Sequence, residues 1–90
     1  MAQMIFTLKL MLESPEVDPE PVVEKSKDIV LQHEGEVGKV EIENIAFGLK
    51  AVKLYIVIDE NKEISGIENN LTNLEGVRSV EVIDMRRALG

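Results

Sequence analysis

Four stretches of this chain alternate apolar and polar residues with a period of two, and their spacing constrains the fold more than any other feature. In the first, Met4, Phe6, Leu8, Leu10 and Leu12 share one parity while Thr7 and Lys9 take the other. A strand points successive side chains to opposite faces, so the apolar set covers a core and the polar set is at least partly wet. Lys39 to Ala46 repeat the pattern, with Val40 and Ile42 set against Glu41 and Glu43. Beyond Gly48, Val52, Leu54, Ile56 and Ile58 form the cleanest set, and Val77 to Met85 is β-branched and alternates through Val80 and Val82. The second and third runs are separated by a short glycine-containing stretch, which reads as a β-hairpin.

Two helices fill the remaining gaps. Pro15 lacks a ladder donor and ends the first strand at Glu13-Ser14-Pro15. Asp18-Pro19 then reads as a helix start: Asp18 caps the free N–H groups, and Pro19 sits where no donor is missed. Glu20 and Glu24 suit the positive end of the helix dipole. Val22, Ser26, Ile29 and Val30 mark the inward face, and Gly35 marks the stop. Ile64, Ile67, Leu71 and Leu74 mark the second helix, with Asp59 or Asn61 as its cap and Gly76 as its stop. Gly66 inside it costs ~1 kcal/mol relative to Ala.

The order β-α-β-β-α-β, with a right-handed crossover in each half, folds into a four-stranded antiparallel sheet with both helices on one face. This is the α+β, ferredoxin-like split β-α-β sandwich, formed by residues 1–90 as a single domain. A chain of 90 residues has no room for a second core. The fold implies no function, since it carries many unrelated activities.

Composition removes several of those activities. Zero cysteine excludes disulfides, thiolate metal sites and cysteine nucleophiles. Seventeen acidic against ten basic residues repel phosphate backbones and anionic membranes alike, so neither direct nucleic-acid binding nor membrane attachment is expected. No apolar run approaches the ~20 residues that cross a bilayer. An RNA-binding version of this fold needs aromatic rings on its central strands, yet the open face offers Thr7, Lys9, Lys53, Tyr55 and Val57, with one ring among them. No residue set supplies a nucleophile, a base and an oxyanion donor together. The single histidine, His33, reads as a residue at a helix C-terminus, and Asp59, Glu60 and Glu63 read as a solvated acidic turn without metal-loop spacing.

Two places are not absorbed by the fold. Phe47 stands between Ala46 and Gly48 at the hairpin tip, in a chain with only two Phe. Its ring either folds back under the hairpin or stands out as a rigid anchor for a pocket elsewhere, with Lys50 and Lys53 adding positive charge beside it. The other place is the paired Arg86 and Arg87 near the C-terminus, either a solvated edge or a guanidinium delivered to a phosphate or carboxylate.

These two places carry a resemblance. Ile45-Ala46-Phe47-Gly48-Leu49-Lys50-Ala51-Val52-Lys53-Leu54 resembles the hairpin signature of the translation elongation factor 1-beta family, particularly its short archaeal form. Gly76-Val77-Arg78-Ser79-Val80-Glu81-Val82-Ile83-Asp84-Met85-Arg86-Arg87 resembles that family's C-terminal strand, and Met11-Leu12-Glu13-Ser14-Pro15-Glu16-Val17-Asp18 is similar to the archaeal opening. The likeness runs over essentially the whole chain, the hairpin being its specific part. It implies the same split β-α-β fold and an activity: exchange of GDP for GTP on elongation factor 1-alpha, the GTPase that carries aminoacyl-tRNA to the ribosome.

The resemblance also implies that the domain works in the cytoplasm without covalent chemistry, cofactor or metal of its own, with a monomer favoured. In the eukaryotic relatives an exposed Phe at the hairpin inserts into the GTPase, and a C-terminal Lys pushes into its magnesium and phosphate region. Phe47 matches the first, with Gly48, Lys50 and Lys53 as neighbouring partner contacts. Arg87, with Arg86 beside it, aligns with the second. Here the sequence departs from the family pattern, because Arg keeps the charge but is a planar fork rather than a compact ammonium. Those relatives also carry an N-terminal extension for which this chain leaves no room. The residues alone leave one alternative open: a ligand-sensing or protein-interaction module that uses the open sheet face or an edge strand and gives Phe47 no special role.

Overall fold

A computed structural model describes residues 2–88; Met1, and Leu89 and Gly90 of the C-terminal segment, lie outside the described residues. The elements are β1 (Gln3–Leu12), α1 (Pro19–Gln32), β2 (Glu36–Asn44), β3 (Lys50–Asp59), α2 (Ser65–Thr72) and β4 (Val77–Ala88), with a 3-10 turn at Ala46–Gly48. The sheet order is β2-β3-β1-β4 and every pairing is antiparallel, as expected for the split β-α-β arrangement. Both helices lie on one face. Between them and the sheet, Leu8, Leu10, Leu12, Val30, Val52, Leu54, Ile56, Ile58, Ile67 and Leu71 are fully buried. The period-two and helical sets read from the sequence therefore meet in one core.

Boundaries differ from expectation in instructive ways. β2 starts at Glu36 rather than Lys39, and β4 runs to Ala88 rather than Met85, because strand pairing extends past the alternating residues. Asp18 caps α1 as expected, its Oδ1 accepting from Glu20 N at 3.0 Å. Neither Asp59 nor Asn61 caps α2, which starts after Ile64 with no side-chain cap. Asp59 instead accepts from Asn61 N within the turn. At the end of α1 the left-handed residue is Glu34, at φ 64, ahead of Gly35. Gly66 has a packing reason: a Cβ there would stand 2.9 Å from His33 Cε1. The His33 ring thus lies on α2, with Asn70 Nδ2 at 3.0 Å from its Nε2.

β4 carries the feature with the largest consequence. Thr7 pairs with Asp84 but Leu8 pairs with Val82, so Ile83 is an extra residue in a β-bulge. A one-residue insertion reverses the facing of everything beyond it. Val80 and Val82 face the helices with Leu10 and Leu8; past the bulge the helix side is taken by Met85 and Arg87, opposite Phe6 and Met4. Arg86 is thereby turned to the open face opposite Ile5, where its Nε donates to Asp84 Oδ2 at 2.9 Å.

Candidate partner-binding site

The hairpin between β2 and β3 closes as tightly as its sequence allows. Asn44 and Lys50 form the last ladder pair, Ile45 N donates to Leu49 O at 2.7 Å, and Leu49 N returns to Ala46 O. Three residues are left to reverse the chain, and two take the left-handed conformation: Phe47 at φ 61 and Gly48 at φ 78. Glycine does this freely. For Phe it costs on the order of 1–2 kcal/mol. That cost is not offset by burial, because the ring is 94% exposed. Pro15, in the loop after β1, lies near the tip: a Cβ built at Gly48 would stand 3.5 Å from its Cβ.

The two lysines that follow the tip on β3 have different surroundings. Lys50 closes the hairpin and has no carboxylate at ion-pair distance among the described residues. Lys53 is engaged within the domain. It stands directly opposite Lys9 across β3 and β1, and Glu43 of β2 reaches both, at 3.3 Å from Lys9 Nζ and 3.3 Å from Lys53 Nζ. Hydrogen bonding from Lys53 and then Lys9 lowers the pKa of Glu43, and the same pairing raises that of Lys53. Further along this face Tyr55 donates to Glu41 Oε1 at 2.7 Å while Lys39 lies over its ring. The open face is therefore a self-paired network, and its single ring is occupied. Thr7, expected at least partly wet, is only 4% exposed between Tyr55 and Asp84.

Arg87 lies at the other end of the molecule. It pairs with Met4, whereas the hairpin begins beyond the Met11–Ala51 pair. The seven steps along β1 between these levels span about 24 Å at ~3.4 Å per residue. The longest dimension of the domain is 42 Å. The Arg87 guanidinium donates to the carboxylate of Glu60, in the turn after β3. This contact and the Asp59 turn bond engage Asp59 and Glu60 within the domain, and no three potential metal ligands converge among the described residues. Phe47, Gly48 and Lys50 thus share the hairpin end, Lys53 stands three residues down β3 on the open face, opposite to the face Lys50 takes, and Arg86 and Arg87 are held at the far end on opposite sheet faces.

Sequence reasoning missed Glu43 and Glu60, the counter-ions of Lys53 and Arg87. Each lies far from its partner in the chain, and strand register brings them together. The alternation of Glu41 and Glu43 with Val40 and Ile42 did place Glu43 on the same face as Lys9, but not at the level of that lysine.

Residues 5–88 match the family described as the EF-1 guanine nucleotide exchange domain. Among relatives, elongation factor 1-beta of Methanothermobacter thermautotrophicus is 34% identical over 90 residues, covering 99% of this chain and 100% of that protein. Elongation factor 1-beta of Staphylothermus marinus is 39% identical over 89 residues, covering 97% and 98%. Among solved structures, 30S ribosomal protein S6 of Thermotoga maritima superposes with a TM-score of 0.70 at 18% identity, over 96% of this chain and 88% of that one. The ACT domain from the GTP pyrophosphokinase of Chlorobium tepidum gives a TM-score of 0.62 at 12% identity, over 96% and 99%. These two likenesses concern the ferredoxin-like fold alone.

Proposed function

The chain belongs to the EF-1 guanine nucleotide exchange domain family, and on that premise we propose that it promotes GDP-for-GTP exchange on elongation factor 1-alpha through two contacts at opposite ends of the sheet. Phe47 is the anchor at the hairpin end, flanked by Gly48 and Lys50. Arg87 is the cationic arm at the far end, directed at the phosphate and magnesium region of the GTPase. The observation that carries this reading is the Phe47 ring, almost wholly exposed on a backbone conformation that costs the domain energy. A fold keeps such a residue when another molecule covers it.

The physical task is a linkage problem. Mg²⁺ in the GTPase bridges nucleotide phosphates and protein oxygens and screens their repulsion. A factor that binds the nucleotide-free GTPase tightly must, by reciprocity, have its own grip weakened by nucleotide. Raising release by ~10³–10⁴-fold requires lowering the dissociation barrier by about 4–5.5 kcal/mol. A buried aromatic anchor supplies about 2 kcal/mol or more of that. An arginine presented to phosphate oxygens would compete with Mg²⁺ for the same charge, with no covalent bond made or broken. Such a factor does not choose between GDP and GTP; the cellular excess of GTP sets direction. Because the two groups lie about 24 Å or more apart along β1, the GTPase must offer them two separate sites.

Lys53 has a smaller role in this reading than Lys50, since its charge is already paired with Glu43. The test is Phe47→Ala, assayed by release of fluorescent GDP from the GTPase. The domain should melt within about 1 kcal/mol of the parent, because the ring packs on nothing, while stimulated release falls by about 30-fold or more. Parent-level release by that variant would remove the anchor.

A further inference from the structure

β2 is an edge strand with weak apolar support. None of its residues, Glu36–Asn44, is buried, and Ile42, on its helix side, is 49% exposed. Val37 and Val40 pack against the core, but beyond them only the half-exposed Ile42 adds apolar contact, so the hairpin end depends largely on the ladder to β3 and on whatever spans the open face. There Lys9 and Lys53 stand opposite each other, and like charges so placed repel. The Glu43 carboxylate removes this conflict with one oxygen on each ammonium, tying β2 to both β3 and β1. It does so at the Glu43–Ala51 pair, one level below the closing Asn44–Lys50 pair and four residues before Phe47.

We propose that Glu43 is a positioning residue for Phe47: by bracing three strands at the base of the hairpin, it fixes the direction in which the ring meets its pocket. The proposal rests on the anchor reading above and adds a residue that touches neither partner nor nucleotide. The ring stands beyond the last strand pair, so a small swing of β2 at its base is enlarged at the tip. Anchors in fitted pockets lose contact energy for misplacements of about 1 Å. The Glu43 brace limits that swing.

The experiment uses the full chain and the GTPase loaded with fluorescent GDP. Glu43→Gln should raise the factor concentration giving half-maximal release about three- to fivefold and leave the maximal rate unchanged. In a Phe47→Ala background the same substitution should add nothing to the loss of affinity for nucleotide-free GTPase, because the group it positions is gone. Adding Lys9→Met to Glu43→Gln removes the opposed charge and should recover part of the loss. A parent-like half-maximal concentration for Glu43→Gln overturns the proposal, and so does a loss that adds fully to that of Phe47→Ala, which would mean direct contact or general support. Parent-level exchange by Phe47→Ala itself removes the anchor reading, and this proposal with it.

Discussion

The guanidinium of Arg87 rests against the carboxylate of Glu60 at the end of the sheet farthest from Phe47. For Arg87 to meet a phosphate it must leave this partner. Exposed ion pairs are weak and a phosphate is a stronger acceptor, so the exchange of partners is easy once the GTPase is bound. In the mechanism proposed above, anchoring by the ring comes first and raises the local concentration of phosphate around the arm.

Arg87→Ala should therefore lower the maximal exchange rate by about tenfold while changing the affinity for nucleotide-free GTPase less than twofold. Arg87→Lys should keep most of the rate if charge alone matters, and lose it if the fork geometry matters. Stopped-flow release at saturating factor separates these cases. An unchanged maximal rate for Arg87→Ala would show that the arm is a solvated edge.

Phe47→Gly exchanges a strained residue for one that adopts φ 61 without cost. The gain is partly offset by glycine's greater freedom in the unfolded chain, leaving about 0.5–1 kcal/mol of net stabilisation. Thermal unfolding should rise by about 2–8 °C while exchange collapses. A lower melting temperature would mean that the ring supports the fold.

The acid limb of stability follows from the paired carboxylates. Glu43 is lowered by Lys53 and Lys9, Glu41 by its bond from Tyr55 and by Lys39, and Glu34 by Lys62, each from a usual 4.5. Groups whose folded pKa is depressed contribute stability above the unfolded value and lose it as pH falls through the folded one. Lys53 and Lys62 are raised from 10.5, chiefly by hydrogen bonds to Glu43 and Glu34, and their contribution is full below that value and lost as pH climbs through the folded one. Melting temperature should be flat between about pH 6 and 9 and fall outside it. Salt should weaken both limbs. Glu43→Gln should make the acid limb shallower, and an unchanged limb would show that this carboxylate is not paired in solution.

Side-chain alternation in β1 and β3 determined the strands and their buried face without help from anything distant, because a period of two is a local property of the chain. The same holds for Asp18-Pro19 at the head of α1, whose capping needs only the next two residues, and for the hairpin, whose closing residues Ala46–Gly48 are contiguous. Tertiary structure decided what lies between strands. The exposure of Phe47 was one of two outcomes its neighbours allowed, and it goes with the left-handed backbone that the closed hairpin imposes on that residue. The pairing of Lys53 with Glu43 depends on register, which no single strand contains. The sides taken by Arg86 and Arg87 depend on one extra residue at Ile83, whose insertion reverses the facing of every side chain beyond it. Periodicity fixes faces within a strand, while register and bulges fix which groups meet across strands, and those are set only when the sheet assembles.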